Sequence, residues 1–184
     1  MEYVIPKDTF SGRMNEVTLG SGNGALTIGG DSTYPFHYFE GSLPNLPGIA
    51  MEVGDHEPDD WAEGCVEPFS DVLSSPAKWA QKCVDAYGAK AIYLKLETTD
   101  PANEDRPPEE AASLVKEVAE AIQVPLIVYG TERQKKDALV LTEVAKACQG
   151  MNLFLGPLLE KNFQEIATAA EKFGHGVILQ TAVE

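Results

Sequence analysis

The chain has 184 residues, of which 43% are hydrophobic and 23% charged, a composition typical of a folded globular protein with one well-buried domain. Its 29 acidic residues outnumber 14 lysines and arginines, so the formal net charge is −15, which argues against a nucleic-acid partner. No apolar run reaches the roughly 18 residues of a membrane span, and no signal peptide is visible. We therefore expect a cytoplasmic protein without a membrane partner.

The N-terminal part predicts a β-hairpin followed by an aromatic segment. Short alternating runs at 15–20 and 25–30 flank the turn sequence SGNG. A dinucleotide-binding loop is the weaker alternative, because no helix follows these glycines. The segment 29–41, GGDSTYPFHYFEG, then carries four aromatic residues around His37. We expect His37 to be a packed, hydrogen-bonded group rather than a ligand, and the rings to plug the floor of a barrel or to lie under a partner subunit.

The rest of the chain alternates between apolar strands and amphipathic helices. Alternation of this kind requires crossover connections and therefore predicts a parallel sheet. The predicted strands cover 48–53, 89–97, 124–130, 152–156 and 176–181, and the predicted helices cover 75–89, 109–123, 133–150 and 159–174.

Two closures of this sheet are possible, an open doubly wound sheet and a (β/α)8 TIM barrel. The regular alternation without a phosphate-binding loop favours the N-terminal part, about five strands, of a barrel preceded by the hairpin. We divide the chain into a hairpin and barrel-floor segment, 1–47, and a partial barrel of the form (β/α)4β, 48–184. Because a complete barrel takes roughly 250 residues, we expect the sequence to be a truncated one.

In a TIM barrel, function gathers at the carboxyl ends of the strands. Polar or small residues at the predicted strand ends are therefore the candidates for cofactor binding: Glu52, Asp55, Glu97, Thr98, Tyr129, Gly130, Gly156 and Gln180. We predict no catalytic residue, because no histidine points inward from these ends.

Metal binding is not expected either. The run Asp55-His56-Glu57 belongs to a loop typical of a solvated acidic segment, and Lys95 is interpreted as an interior lysine paired with Glu97 or Glu52. The three cysteines, Cys65, Cys83 and Cys148, are far apart in sequence and show no cluster spacing, so we predict reduced thiols and no iron–sulfur cluster on this chain.

Longer motifs resemble a known family. The runs IGGDSTYPFHYFEG, GIAMEVGD and WAQKCVDAYGAKAIYLKLETTDP, followed by VKEVAEAIQVPLIVYG and NLFLG, resemble the small (delta) subunits of the corrinoid iron–sulfur protein in the CO dehydrogenase/acetyl-CoA synthase system. The resemblance extends from about residue 13 onward. It implies a TIM barrel related to methyltetrahydrofolate-binding methyltransferases.

The resemblance also implies a function, a cofactor and partners. Such a subunit pairs with a large subunit that carries the iron–sulfur cluster, and the two share a corrinoid held against the top of the small subunit's barrel. The pair passes a methyl group from the methyltransferase to acetyl-CoA synthase, so the small subunit is a scaffold and lid rather than a stand-alone catalyst. Two alternatives stay open: a pterin-binding methyltransferase of the related barrel class, and a half-barrel that completes itself by dimerisation.

Overall fold

The structure is a computed structural model and describes residues 3–181. It contains a two-stranded antiparallel sheet near the N-terminus and a five-stranded parallel sheet flanked by helices. The predicted α/β class and the separate hairpin are therefore confirmed. Within 3–181, no helix combines the length and the apolar character needed to cross a membrane.

The hairpin consists of β1 (Val17–Leu19) and β2 (Leu26–Ile28), joined through a tight turn at Gly22–Gly24. The two strands pair so that Thr18 lies opposite Thr27, and their hydroxyl oxygens are 3.1 Å apart. Val17 remains 46% exposed, because a two-stranded sheet has no second layer of its own to cover both faces.

Contacts with the loops before β5 and β6 hold the hairpin against the large sheet. The Nδ2 group of Asn152 donates a hydrogen bond of 2.6 Å to the Gly20 carbonyl. At Gly24, any side chain would place its Cβ 1.8 Å from the Gln123 carbonyl oxygen, so the close approach of these two segments requires glycine. The hairpin therefore lies at the amino ends of the parallel strands, opposite the candidate functional edge.

The large sheet has five parallel strands in sequential order, β3-β4-β5-β6-β7. The strands are β3 (Ala50–Gly54), β4 (Ala91–Lys95), β5 (Leu126–Tyr129), β6 (Phe154–Leu158) and β7 (Gly176–Leu179). The helices are α1 (Glu63–Val66), α2 (Pro76–Asp85), α3 (Pro108–Ala121), α4 (Gln134–Ala147) and α5 (Phe163–Phe173). Each predicted strand and helix is present, and the short helix α1 is an addition within the acidic loop after β3.

The hydrophobic core lies between one face of this sheet and the helices. Val53, Leu94 and Val128 on neighbouring strands are fully buried in the same cluster as Trp79 of α2 and Leu141 of α4. Helices α2, α3, α4 and α5 also contact one another in chain order. The four long helices therefore form one layer on a single side of the sheet.

The opposite face of the sheet has no covering layer among residues 3–181. Register pairing brings Glu52, Tyr93, Ile127 and Phe154 into one row across β3 to β6. The three apolar or aromatic members of this row are only partly buried, and Glu52 is exposed. In the predicted barrel this face would be the interior.

The aromatic segment is more exposed than the prediction of a packed His37 implies. His37 is hydrogen-bonded as expected, with Nδ1 2.8 Å from Glu40 Oε2, but its side chain is 41% exposed and is not part of a core. Phe36 and Tyr38 are 72% and 71% exposed. These rings are therefore not buried within residues 3–181, and the contacts with the amino ends of the strands described above come from the hairpin. That the rings plug the floor of a complete barrel stays a prediction.

His175 has a larger structural role than the connecting loop position predicts. Its Nδ1 accepts a hydrogen bond of 3.1 Å from the Leu153 amide, and its Nε2 lies 2.9 Å from the Ala145 carbonyl oxygen. The ring therefore joins the end of α4, the loop before β6 and the turn after α5. Gly174, in a left-handed conformation with φ of 81°, makes this sharp turn possible.

Candidate functional site

The predicted candidates lie towards the carboxyl ends of the parallel strands, but at different positions along each strand. Glu52 lies inside β3 rather than after it, and Gly156 lies inside β6, which continues two residues beyond its predicted end. Tyr129 is the last residue of β5, and Gln180 directly follows β7. The structure therefore brings most of the candidates to one edge, where they fall into three groups.

The first group joins the ends of β3 and β4 through a buried carboxylate. The side chain of Asp55 is fully buried and accepts hydrogen bonds from the Thr98 amide at 3.2 and 3.3 Å and from the Thr98 hydroxyl. Arg106 lies 3.9 Å from Asp55 Oδ2, and His56 Nδ1 lies 3.3 Å from Oδ1. Because a buried carboxylate needs such partners, this contact determines the position of the turn 97–99 after β4.

This arrangement also limits what Asp55 and Thr98 can do. Both side chains lie below the surface and have each other as partners, so they are not free to contact a large ligand. They position the neighbouring Glu97, whose carboxylate is 2.5 Å from Lys95 Nζ. This hydrogen bond raises the pKa of Lys95, so Lys95 remains a cation at the edge. The predicted pairing of Lys95 with Glu97 is confirmed.

The second group lies at the end of β5 and depends on a buried residue that the sequence analysis missed. Asp137, in the first turn of α4, accepts hydrogen bonds from the Thr131 amide at 3.0 Å and from the Thr131 hydroxyl at 3.3 Å. A Cβ on Gly130 would stand 2.4 Å from Asp137 Oδ1, so only glycine leaves space for the carboxylate. Burial raises the pKa of Asp137, whose second oxygen, Oδ2, has no hydrogen-bond partner.

The third group is a pair of tyrosines on the uncovered face of the sheet. The rings of Tyr93 and Tyr129 lie 5.2 Å apart, and the Tyr129 hydroxyl donates to the side-chain oxygen of Gln180. Burial raises the pKa of Tyr93, with the nearby Tyr129 and Glu52 adding to the shift, and burial likewise raises the pKa of Tyr129. Both phenols are therefore neutral hydrogen-bonding groups at physiological pH.

Gly156 allows this third group to form. A Cβ at this position would lie 2.9 Å from the Ile178 Cβ and 3.5 Å from a carbon of the Tyr129 ring. Glycine thus lets β7 and the tyrosine ring approach the strand between them. We infer that Gly130 and Gly156 shape the edge by leaving space, whereas Tyr129, Glu97 and Gln180 present polar atoms.

A cleft of about 520 Å³ opens at the carboxyl ends of β3, β4 and β5. Its wall is mostly polar and includes His56, Asp59, Lys95, Glu97 and Thr131. A larger groove of about 1180 Å³ runs between the outer surfaces of α4 and α5. We favour the smaller cleft as the functional site, because buried hydrogen-bonded groups hold its walls in place.

His56 is the histidine that lies at the cleft. Its nearest carboxylate oxygens belong to Asp55 at 3.3 Å and Glu97 at 3.9 Å. In the described part of the chain, no three histidine, cysteine or acidic side chains are grouped as metal ligands. His56 instead lies between the buried Asp55 and Glu97, which lines the cleft.

Comparison with known proteins gives a consistent assignment. Residues 16–184 match the family model described as CO dehydrogenase/acetyl-CoA synthase delta subunit. The acetyl-CoA decarbonylase/synthase complex subunit delta of Archaeoglobus fulgidus is 34% identical over 186 residues, covering 97% of this chain and 41% of that protein. The subunit delta of Methanothermobacter thermautotrophicus is 33% identical over 179 residues, covering 96% of this chain and 46% of the relative.

The subunit delta of Methanocaldococcus jannaschii is 31% identical over 185 residues, covering 97% of this chain and 45% of the relative. The chain thus spans less than half the length of each of these three curated relatives. The similarity includes the parallel sheet and the candidate edge. The chain belongs to the CO dehydrogenase/acetyl-CoA synthase delta subunit family.

Proposed function

We propose that the chain forms part of the small subunit of a corrinoid methyl-carrier protein. In this proposal, the carrier passes a methyl group from methyltetrahydrofolate methyltransferase to acetyl-CoA synthase, in the reductive acetyl-CoA pathway of the cytoplasm. Its partners are the large subunit, which holds the iron–sulfur cluster, and these two enzymes. Family membership supports the proposal, and the observation that carries it is the polar strand edge beside the Tyr93–Tyr129 pair.

The proposal includes a (β/α)8 barrel, of which these strands are five consecutive members. Two features support it: the strands follow one another in sequential order, and the long helices form one layer. A doubly wound sheet reverses its strand order and carries helices on both faces. The uncovered face with Glu52, Tyr93 and Tyr129 then becomes the barrel interior, and the cleft becomes part of its rim.

The chemistry of the edge suits a corrinoid, which when bound supplies the cobalt that accepts and gives up the methyl group. A corrinoid carries amide side chains around its ring, and these need hydrogen-bond donors and acceptors. Glu97, Lys95 and Thr131 line the cleft, while the Tyr129 hydroxyl and the Gln180 amide lie at the same strand edge. These residues would bind the amide groups and help to exclude water.

Other residues act indirectly in this proposal. Asp55 would hold Thr98 and the turn that carries Glu97, and Asp137 would hold Thr131 at the end of β5. Gly130 and Gly156 would leave space at the rim. We propose no catalytic residue and no metal ligand on this chain, so that cobalt binding and electron transfer belong to the large subunit.

The test is reconstitution of the full-length protein with the large subunit, followed by the absorption spectrum of the purified complex. We expect a stable heterodimer that retains corrinoid. The Gln180→Ala variant should retain less corrinoid, because it removes the amide at the edge. The matched control is Gln164→Ala, at an exposed position on α5, and it should retain as much as the wild type.

Two results would contradict the proposal. The first is failure of the full-length wild-type chain to associate with the large subunit. The second is tight one-to-one binding of methyltetrahydrofolate by the full-length chain alone in isothermal titration, which would favour the pterin-binding methyltransferase instead. If both glutamine variants retain the same amount of corrinoid, Gln180 and the strand ends around it are not part of the corrinoid site.

A further inference from the structure

Five exposed aromatic rings form a single surface near the N-terminus, here called the aromatic patch: Phe10, Tyr34, Phe36, Tyr38 and Phe39. Their exposed fractions are 46%, 60%, 72%, 71% and 36%, respectively. Contiguous exposed apolar surface of this kind is rare on soluble monomers and marks sites of protein interaction. The patch is separate from the strand edge proposed to bind the corrinoid.

The rings of the patch contact one another instead of lying scattered. Tyr34 and Phe36 stack almost in parallel, with an interplanar angle of 4° and centroids 5.6 Å apart. Phe10 packs edge-on against Tyr34 at 6.2 Å, and Tyr38 packs edge-on against Phe39 at 5.8 Å. The ring of His37 connects the two halves, 4.7 Å from Phe36 and 5.7 Å from Phe39.

Hydrogen bonds beneath the patch hold the backbone that carries these rings. The Thr33 hydroxyl donates to the His37 carbonyl at 3.0 Å, and His37 Nδ1 lies 2.8 Å from Glu40 Oε2. The other oxygen of Glu40 accepts a hydrogen bond of 3.1 Å from the Asp8 amide. These bonds hold the backbone of the segment in one turn, which lowers the entropic cost of binding.

Charge distinguishes between the possible partners of the patch. From residue 14 to residue 47, the segment that contains the hairpin and four of the five rings, the chain carries three acidic residues, Glu16, Asp31 and Glu40, and no lysine or arginine. Two cations precede this stretch: Lys7, and Arg13, which is already bound by Glu16 and the Gly30 carbonyl, each at 3.1 Å. With a net charge of −15, the chain would repel a second copy of itself and an anionic membrane.

We propose that the aromatic patch docks onto an arginine- and lysine-rich face of the large subunit. Guanidinium and ammonium groups bind to the faces of aromatic rings, and arginine also pairs with carboxylates. Rigid exposed tyrosine and phenylalanine rings supply the buried contact area that such an interface needs. The identity of the partner rests on the proposed function, whereas the position and chemistry of the surface do not.

The experiment measures the affinity of the full-length protein for the immobilised large subunit. The test variant carries Phe36→Ser and Tyr38→Ser, which remove two exposed rings without touching the core. The matched control is Leu139→Ser, which removes an apolar side chain that is 64% exposed on α4. A thermal melt of each variant verifies folding, and the measurements are made at about 50 mM and about 300 mM NaCl.

We expect the double variant to bind roughly 10- to 100-fold more weakly, because loss of an anchoring aromatic residue commonly costs about tenfold or more. The control should bind like the wild type, and wild-type binding should weaken at high salt. Equal affinity of the wild type and the double variant would overturn the docking surface while leaving the proposed function intact. Affinity independent of salt would overturn the cationic character of the partner face.

Two further outcomes would assign the patch to another occupant and so overturn the proposal. One is a concentration-dependent homodimer in light scattering that the double variant loses. The other is binding to phosphatidylglycerol vesicles that the double variant loses. If the wild type does not bind the large subunit at all, both the proposed function and the partner assigned here are wrong.

Discussion

Replacing Asp55 with alanine tests whether this buried carboxylate holds the functional edge together. The substitution removes the acceptor for the Thr98 amide and hydroxyl, and it leaves the buried Thr98 amide without a partner. It also removes the counter-charge 3.9 Å from Arg106. The turn that carries Glu97 should therefore loosen, while the helical core should keep its structure.

The expected magnitude follows from these contacts. Hydrogen bonds to a charged group contribute about 1.5–3 kcal/mol each, and an unsatisfied buried donor costs about 1–3 kcal/mol. The variant no longer buries a carboxylate, and the desolvation cost that is thereby avoided offsets part of the lost stability. We expect a net local destabilisation of about 2–4 kcal/mol, which corresponds to roughly 30- to 1000-fold faster exchange of the Thr98 amide.

Amide hydrogen exchange in the full-length protein measures this effect directly. The control is Asp59→Ala, which removes an exposed acid from the same loop and should leave exchange at Thr98 unchanged. The double variant Asp55→Ala with Thr98→Val should lose less stability than the sum of the losses in the two single variants, because each substitution removes the same contact of the Thr98 hydroxyl. If exchange at Thr98 in Asp55→Ala stays within about threefold of the wild type, Asp55 does not hold this turn in place.

Three further predictions concern the ends of β5 and α5. Gly130→Ala should destabilise the protein by about 1–3 kcal/mol in urea unfolding, because the new Cβ would lie 2.4 Å from Asp137 Oδ1; an unchanged midpoint would contradict this. Burial raises the pKa of Asp137, so the contribution of this residue to stability should fade as the pH rises above 3.8. In urea unfolding, the free energy of unfolding of Asp137→Asn should therefore decline less over this pH range than that of the wild type. Burial lowers the pKa of His175, so its contribution to stability should be present above pH 6.5 and lost on acidification. When the free energy of unfolding is measured over the same pH series, His175→Gln should lose less stability below pH 6.5 than the wild type. Identical dependence of stability on pH in the two proteins would disprove this role of His175.

The alternation of strands and helices could be predicted because each element has its own period. Strands of five or so apolar residues and helices with one buried face are visible in the sequence without knowledge of their neighbours. The end of a helix also depends on individual side-chain hydrogen bonds, which the period of the sequence does not show. Helix α5 begins at Phe163 and not at residue 159, because Asn162 Oδ1 accepts the Leu159 amide and holds a turn before the helix.

The residues at the strand ends could be predicted as a set, but their partners could not. The contact between Asp55 and Thr98 joins positions 43 apart, and no local pattern reports such a pair. Asp137 was missed although a signal exists. It occupies the same helical stripe as Val140, Leu141 and Val144, and an acid on an apolar stripe indicates a buried hydrogen-bonded carboxylate.

The aromatic segment shows a different limit of sequence reasoning. Ring content alone indicates burial, but burial depends on which other segment covers the rings. In the structure the hairpin lies at the amino ends of the strands, at Asn152 and Gln123, and the rings of Phe36 and Tyr38 remain exposed. The same composition that suggests a core is also typical of an interface.

An electron cryo-microscopy map of the full-length protein with its large subunit and corrinoid would test the proposed barrel and the corrinoid site together. We predict that β3 to β7 form five consecutive strands of a closed barrel. We also predict that the corrinoid lies over their carboxyl ends, within contact distance of Tyr129, Thr131 or Gln180. A corrinoid bound at the amino ends beside the hairpin would show that the proposed site is wrong, and strands β3 to β7 in an open sheet would show that the proposed barrel is wrong.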